Sequence, residues 1–396
     1  MLIRRRRFNL CVCLACLFPG EVVPADADEI ASEPQPRWWK GNLHTHSLWS
    51  DGNDFPEMIA EWYRKHDYHF LAISDHNVLS EGSRWMKLET LTQRAGTQAL
   101  EKYLARFGAD WVERRGGTDG AAEEIRLKPI SEYRALVEER GAFLIVPSEE
   151  ISDQAEHVPV HLNATNIETV IQPLGGTTVR EAIANNVRAV EEQARRSGRE
   201  IIVHLNHPNF GFAITAEDLA AVVSERFFEV YNGHPGVNQL GDASHVNVER
   251  LWDVANTIRV GQLGAAPLYG IATDDSHDYH QHPKSARPGR GWTMVRATHL
   301  TPESLVRALR RGDMYASSGV YLDDVRYDAE RGYLELDIRP DENATYTTQF
   351  LGTTDDYDAA RRRQTTRAKP CEPRGATRPT LVACSAKSKG CIPRIN

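Results

Sequence analysis

Cysteine is missing from the whole middle of the chain. Cys11, Cys13 and Cys16 lie near the start and Cys371, Cys384 and Cys391 near the end, with none between. That gap excludes a disulfide framework for the central region and excludes thiolate metal ligands there. Imidazole and carboxylate remain, a donor set that suits Zn, Mn or Fe. A basic charge balance is also absent. Lys and Arg number 47 against 55 Asp and Glu, a net charge of −8, so no nucleic-acid partner is expected. The apolar run near the start is short. Phe8–Phe18 spans about eleven residues behind the basic Arg4–Arg7, too few for a bilayer-spanning helix. With Ala25-Asp26-Ala27 after it, this stretch reads as an export signal cut after Ala27. The expectation is a signal peptide over 1–27, a linker over 28–36 and a periplasmic or secreted protein with no stable membrane span after cleavage.

Hydrophobic content of 41% and charged content of 26% describe an ordinary globular chain. Its pattern alternates strands with helices. The sequence predicts strands at 69–73, 142–146, 200–203, 227–231, 268–272 and 292–297. Helices are predicted at 54–66 with Asp54 as N-cap, from Ser131 to Arg140, from Thr178 to near Gly198, after Thr215, over 244–258 and from Thr301 to about Arg311. This rhythm implies an α/β fold around a parallel sheet. Residues 81–128 interrupt it and read as an insertion over the mouth of the site. From 321 to 358 the pattern becomes that of a small β appendage. The basic, Pro-bearing stretch 359–396 reads as a disordered tail.

Polar clusters fall repeatedly where a predicted strand ends. His44-Thr45-His46 puts two imidazoles on one side of an extended chain, with Asp51 following on a loop. A His-x-His pair alone is what chance supplies in a chain with 15 histidines among 396 residues. The later clusters change the odds: Ser74-Asp75-His76-Asn77, Ser148-Glu149-Glu150, His161, His204-Leu205-Asn206-His207-Pro208, Asn232-Gly233-His234 and Asp274-Asp275-Ser276-His277. In a closed sheet of parallel strands, groups at the carboxyl ends meet at one face.

Taken in order, His44-Thr45-His46 with Ser50-Asp51-Gly52, Ser74-Asp75-His76-Asn77, the Glu150 segment, His161, Asn206-His207-Pro208 and Asp275-Ser276-His277 resemble the PHP (polymerase and histidinol phosphatase) metal-dependent hydrolases, over roughly residues 38–320. The resemblance implies a distorted (β/α)7 TIM-like barrel over 37–320 that holds two or three divalent ions (Mn, Zn or Fe). It assigns one ion to His44, His46, Glu150 and Asp275. A second would share Glu150 and add His161 and His207. A third would take Asp51, His76 and His277. Glu149 and Asp274 are neighbours able to replace Glu150 and Asp275. His204 is expected to pack behind the ligands, as a strand-end residue close to them, and His157 also lies near. His234 is a candidate substrate contact, while His280 and His282 are expected on a solvated loop. Asp75 is expected to orient His76 or a neighbour, and Arg84 to face solvent or an anionic substrate group.

The implied activity is an exported phosphoesterase that cleaves a small-molecule phosphate monoester or diester through a metal-bridging hydroxide. Glu150, Asp51 and His277 are its expected catalytic residues. Charge bears on the substrate. Three divalent ions, three carboxylates and a hydroxide leave roughly +2 for a phosphate dianion; two ions without Asp51 leave roughly +1, better suited to a diester, carboxylester or carbamate. The alternatives are therefore a carboxylester or carbamate hydrolase on the same barrel, or a non-catalytic metal-binding module.

Overall fold

A computed structural model describes residues 34–118, 121–280 and 285–353, together with the backbone strand at 382–384. The expected signal peptide, the linker as far as residue 33, His282 and the tail apart from that strand lie outside the described residues. The chain opens with β1 (Arg37–Asn42), α1 (Pro56–Lys65) and β2 (Phe70–Ile73). The insertion follows as β3 (Arg84–Lys87), α2 (Leu88–Ala95), α3 (Thr97–Phe107), β4 (Arg114–Arg115) and β5 (Glu124–Leu127). Then come α4 (Ile130–Val137), β6 (Leu144–Ala155), β7 (Val158–Thr165), α5 (Val179–Ser197), β8 (Ile202–Leu205), α6 (Ala216–Ala221) and β9 (Phe227–Asn232). After α7 (Val248–Asn256) and a π-helical turn, β10 (Tyr269–Thr273), β11 (Trp292–Ala297), α8 (Pro302–Arg311) and β12 (Met314–Ser317) complete the main body. The appendage comprises β13 (Leu322–Asp328), β14 (Tyr333–Ile338) and β15 (Thr348–Phe350), the last paired with β16 (Val382–Cys384).

Nine strands form one nearly closed sheet in the order β10-β9-β8-β7-β6-β2-β1-β11-β12. Its edges approach each other, and Thr293 Oγ1 on β11 donates to the Ala272 carbonyl on β10 at 3.0 Å. Packing shows the closure. Phe70 and Ala72 of β2 share a cluster with Ile202 of β8, Phe227 of β9, Ile271 of β10 and Val295 of β11, strands that meet only across a barrel interior. Leu305, Val306 and Leu309 of α8 pack against the same cluster. Alternate residues of β2 face the other way: Leu71 and Ile73 pack outward on Ile59 and Tyr63 of α1 and Tyr133 of α4. Period-two alternation thus separates interior from helical layer within four residues.

The sheet is not all parallel, as the βα rhythm implies. β1, β2 and β6 run parallel, as do β8, β9 and β10, but β7 is antiparallel to both neighbours and β11 is antiparallel to β1 and β12. The cause lies in β6. It pairs with β2 as far as Pro147, then with β7 from Ser148 onward. A two-residue turn at Glu156 and His157, with φ of 50° and 66°, returns the chain directly. Left-handed backbone at both turn positions matches the twist of a hairpin, although neither residue is glycine. Accordingly His157 sits exposed at a hairpin tip rather than near the ligands.

Helix starts follow capping chemistry in most places. Thr178 accepts from the Glu181 amide, Thr301 from the Ser304 amide, and Thr215 forms a reciprocal capping box with Asp218. Two starts differ from expectation. Pro56 occupies the first position of α1 and Phe55 precedes it, while Asp54 accepts the Phe55 amide instead of capping the helix. α4 begins at Ile130 after Pro129 and ends at Val137, so Ser131 lies inside it. The insertion has its own core. Leu91, Leu100, Tyr103, Ile125 and Leu127 pack on Leu48, Trp49 and Phe55 of the loop after β1.

Glu225 provides a test of this packing. It is 1% exposed, its Oε1 accepts the Phe227 amide at 2.7 Å, and its Oε2 has no partner. Burial pushes its carboxyl up to about 8. A carboxyl raised on folding contributes stability that is complete below the unfolded carboxylate range and is lost as pH rises through about 8. Glu225→Gln keeps the acceptor and removes the charge. Thermal melts should show the variant above wild type by about 2–4 °C at pH 9, with the gap closing toward pH 5.

Candidate metal centre

His44 and His46 follow β1 in extended backbone, where Thr45 bridges Ser276 and the two imidazoles share a face. Asp275 lies two residues beyond β10 with φ of 48°, a left-handed conformation that costs a non-glycine residue about 1–3 kcal/mol. Its amide donates to the His44 carbonyl at 3.0 Å, fixing the two segments together. Glu150 and His161 lie on one face of the β6–β7 hairpin, since Glu150 faces Asn163 and His161 faces Ser152 in register. His76 bridges Glu150 from the loop after β2, and His207 follows β8.

These nine side chains converge: His44, His46, Asp51, His76, Glu150, His161, His207, Asp275 and His277 form overlapping groups of possible metal donors. The shortest approach is His76 Nδ1 to Glu150 Oε2 at 2.7 Å, and His44 and His46 lie beside it. Their Nε2 atoms are 3.0 Å apart, each is 3.3 Å from Asp275 Oδ1, and they lie 3.5 and 3.4 Å from Glu150 Oε2. A tetrahedral ion with bonds of about 2.0–2.1 Å requires donor separations of about 3.3–3.4 Å. His161 Nδ1 and His207 Nε2 approach Glu150 Oε1 at 3.0 and 3.3 Å. Asp51 carries the remaining group, with its oxygens 3.5 Å from His76 Nε2, 3.4 Å from His277 Nε2 and 3.6 Å from His46 Nδ1.

The fit to a cation rests on one atom. Glu150 Oε2 is buried and has no hydrogen-bond partner, although imidazole nitrogens of His44, His46 and His76 surround it. His76 Nδ1 comes within 2.7 Å of it but is turned to Ser152 Oγ at 2.6 Å, so this buried anionic oxygen keeps a lone pair for a cation. The donor set is all imidazole and carboxylate, as a hard or borderline divalent ion prefers. The groups overlap more than the expected partition. His46 joins Asp51, His76 and His277; His76 joins Glu150 and His161; His207 joins His44 and Asp275.

Electrostatics follow from burial and proximity. Burial favours a neutral Glu150, yet His44, His161 and His76 hold its carboxyl well below the ordinary range. Asp275 is depressed in the same way, against burial, by His44 and His46. Burial and then His277 push His46 down to about 3, leaving a neutral ring available as a ligand. His76 is drawn up to about 10 despite burial, by Glu150 and Asp51.

The neighbours of the expected ligands face elsewhere. Glu149 points to the other side of β6, where its Oε1 accepts the Ile171 amide at 2.6 Å and burial pushes it up to about 8. Asp274 accepts from Asn42, Tyr63 and the amides of Gly289, Arg290 and Gly291, which leaves Asp275 to face His44 and His46. Asp75 holds the loop before Asp51, accepting from the Ser47 amide and hydroxyl and from Ser50 Oγ. Gly52 in that loop has no room for a side chain, because a Cβ would lie 2.5 Å from the His46 carbonyl. His280 departs from the solvated-loop expectation. Its side chain is 2% exposed, and its Nε2 donates to the Asn53 carbonyl at 2.9 Å. Arg84 is exposed over the Trp49 ring.

Glu229 is the residue sequence reasoning missed. It lies inside β9 and is 1% exposed. Its Oε1 accepts a hydrogen bond from His44 Nδ1 at 2.6 Å, and its Oε2 accepts from the His207 amide and Asn232 Nδ2. A proton held on Nδ1 leaves the His44 Nε2 lone pair turned toward Asp275 and Glu150. His204 lies behind it, buried with Nε2 3.5 Å from Glu229 Oε1. The available signal was a lone charge within the apolar run Phe227-Phe228-Glu229-Val230-Tyr231.

Solved structures similar to this chain carry related names. One, from Bacteroides vulgatus, is a two-domain protein containing a predicted PHP-like metal-dependent phosphoesterase; it is 15% identical, covers 82% of this chain and 80% of its own, and has a TM-score of 0.40. A second, from Bifidobacterium adolescentis, is provisionally named a metal-dependent phosphoesterase (15% identity, 70% and 98% coverage, TM-score 0.35). A third is an amidohydrolase from Chromobacterium violaceum with bound sulfate and no metal (12% identity, 62% and 90% coverage, TM-score 0.30). No protein-family model and no curated protein matches the sequence.

Replacing Glu229 by Gln should weaken the grip on His44 without removing a ligand. Zinc affinity, read by chelator competition on protein with an unchanged circular dichroism spectrum, should fall about 10- to 100-fold.

Proposed function

We propose that this protein is a metal-dependent phosphoesterase of the PHP kind, acting on a small-molecule phosphate monoester or diester. What supports this reading is the convergence on Glu150: a buried carboxylate with imidazoles at both oxygens and an oxygen that no proton donor satisfies. We assign the nine converging residues as those that would hold two or three divalent ions, Glu150 offering an oxygen to the His44–His46 side and one to the His161–His207 side. Such ions, when bound, lower the pKa of a water toward about 7 and offset charge on the transferred group.

The chain's own residues set the geometry for this chemistry. Glu150 sits between the His44–His46 side and the His161–His207 side, so a phosphoryl group placed over it meets both. Glu229 and Asn232 fix His44, His207 and Asp275 through hydrogen bonds to side chain or backbone, which holds those donors still during the reaction. His277 is placed to give the leaving oxygen its proton when no third ion is held there, with Asp51 3.4 Å away holding the imidazolium. The phosphate preference over a neutral ester comes from the Asp51, His76 and His277 group, which adds room for a further positive charge beside the first two. We also read the protein as exported, on the Arg4–Arg7 and Phe8–Phe18 pattern; no helix among the described residues is long and apolar enough to cross a membrane.

The test is metal analysis of protein purified without chelator, with a panel of phosphate monoesters, diesters and carboxylesters. Phosphate release that stops on chelation, returns with Mn or Zn and falls to near background in His46→Ala is the expected result. Cleavage of carboxylesters alone would move the assignment to that class, and metal binding without turnover would reduce it to a binding module.

A further inference from the structure

His234 lies at the rim of the nine-residue cluster and belongs to none of its donor groups. It lies two residues beyond β9, and its ring centroid is 5.3 Å from that of His277 in an edge-on arrangement. Asp275, His277, His207 and His44 lie within electrostatic reach of it. Its backbone is tied to the cluster: the His234 amide donates to Asn232 Oδ1 at 2.8 Å, and Asn232 Nδ2 donates to both Glu229 and Asp275. Its ring is tied as well. The Gly236 amide donates to His234 Nδ1 at 3.0 Å, and a Cβ at 236 would crowd the imidazole at 3.0 Å.

That hydrogen bond decides the tautomer. An Nδ1 that accepts a proton leaves the neutral ring with its hydrogen on Nε2. Among the described residues Nε2 has no partner. The half-buried ring therefore presents an N–H donor with a fixed orientation beside a site whose other side chains are acceptors or ligands.

We propose that His234 is a substrate-binding residue that donates its Nε2–H to an oxygen of the phosphoryl group. This assignment rests on the phosphoesterase reading and deepens it, since it names the contact that orients the anion. A hydrogen bond to a charged group contributes enough that its loss weakens binding about 10- to 100-fold.

The test uses the full-length holoprotein in three forms: wild type, His234→Ala and His234→Gln. The Gln side chain can offer an amide N–H close to the position of Nε2. Metal content, circular dichroism, competitive inhibition by inorganic phosphate and kcat/KM on the best phosphate ester are measured for each. Wild-type metal content in all three, with phosphate affinity down about 10- to 100-fold in His234→Ala and within a few-fold of wild type in His234→Gln, is expected. Nitrogen NMR of the wild-type imidazole should show Nδ1 bare and Nε2 protonated, independently of turnover. Unchanged phosphate affinity in His234→Ala overturns the assignment, as does metal loss in that variant, a Gln form as weak as Ala, or a proton on Nδ1. A wild type that neither cleaves phosphate esters nor binds phosphate instead overturns the phosphoesterase reading on which this one rests.

Discussion

A carboxylate sealed among imidazoles needs positive charge facing each oxygen, because burial alone would return its proton. Glu150 is in that position, 1% exposed at its side chain and approached by His44, His46, His76, His161 and His207. Asn206 Nδ2 adds a hydrogen bond to Oε1 at 2.8 Å, while Oε2 has none. The fold around this point is a means of bringing five imidazoles from four separate segments to one side chain. A hydrocarbon core could not supply that arrangement, and a cluster of this polarity would be a liability in a protein with no use for it.

The change of direction within β6 makes the arrangement possible. Up to Pro147 the strand continues the parallel pairing with β2, and afterwards it turns its edge to the antiparallel β7. Pro147 has no amide hydrogen to donate, and its carbonyl accepts from Asn166 and Ile167 beyond the end of β7. The hairpin then sets Glu150 diagonally opposite His161. A helix between these strands, as in an ordinary βα unit, would have displaced His161 to the next strand end.

Some of this was legible in the residues and some was not. Strand ends were readable because apolar runs such as Phe70-Leu71-Ala72-Ile73 stop abruptly at polar clusters, and caps such as Thr178 and Thr301 mark helices by local hydrogen bonding alone. Adjacent acids were harder. Glu149 and Glu150 differ only in which face of β6 they occupy, and Asp274 and Asp275 only in a backbone angle that loop packing sets. The β6–β7 hairpin was hidden because Glu156 and His157 take left-handed angles without glycine. Glu229 was hidden for another reason: strand patterning marks its position as interior, and only the three-dimensional neighbourhood shows that the interior there is polar. His280 was misplaced because its partner, the Asn53 carbonyl, is distant in sequence.

The donors are not all held by the same kind of structure. His44, Glu150, His207 and Asp275 stand on barrel strands or at their ends and are buried. Asp51, whose side chain is 54% exposed, stands on a loop that owes its shape to other groups. Ser47 and Ser50 are held there by Asp75, Leu48 and Trp49 are covered by the insertion, and Arg94 of α2 donates to the Ser50 carbonyl. The insertion is in turn moored to α1, where Glu57 accepts from Tyr103 and Trp111. The Asp51 group therefore depends on a packed module outside the barrel sheet, while the Glu150 group depends on the sheet itself. Loosening the α2–α3 module would disturb the first and leave the second in place, which separates the two halves of the centre physically as well as chemically.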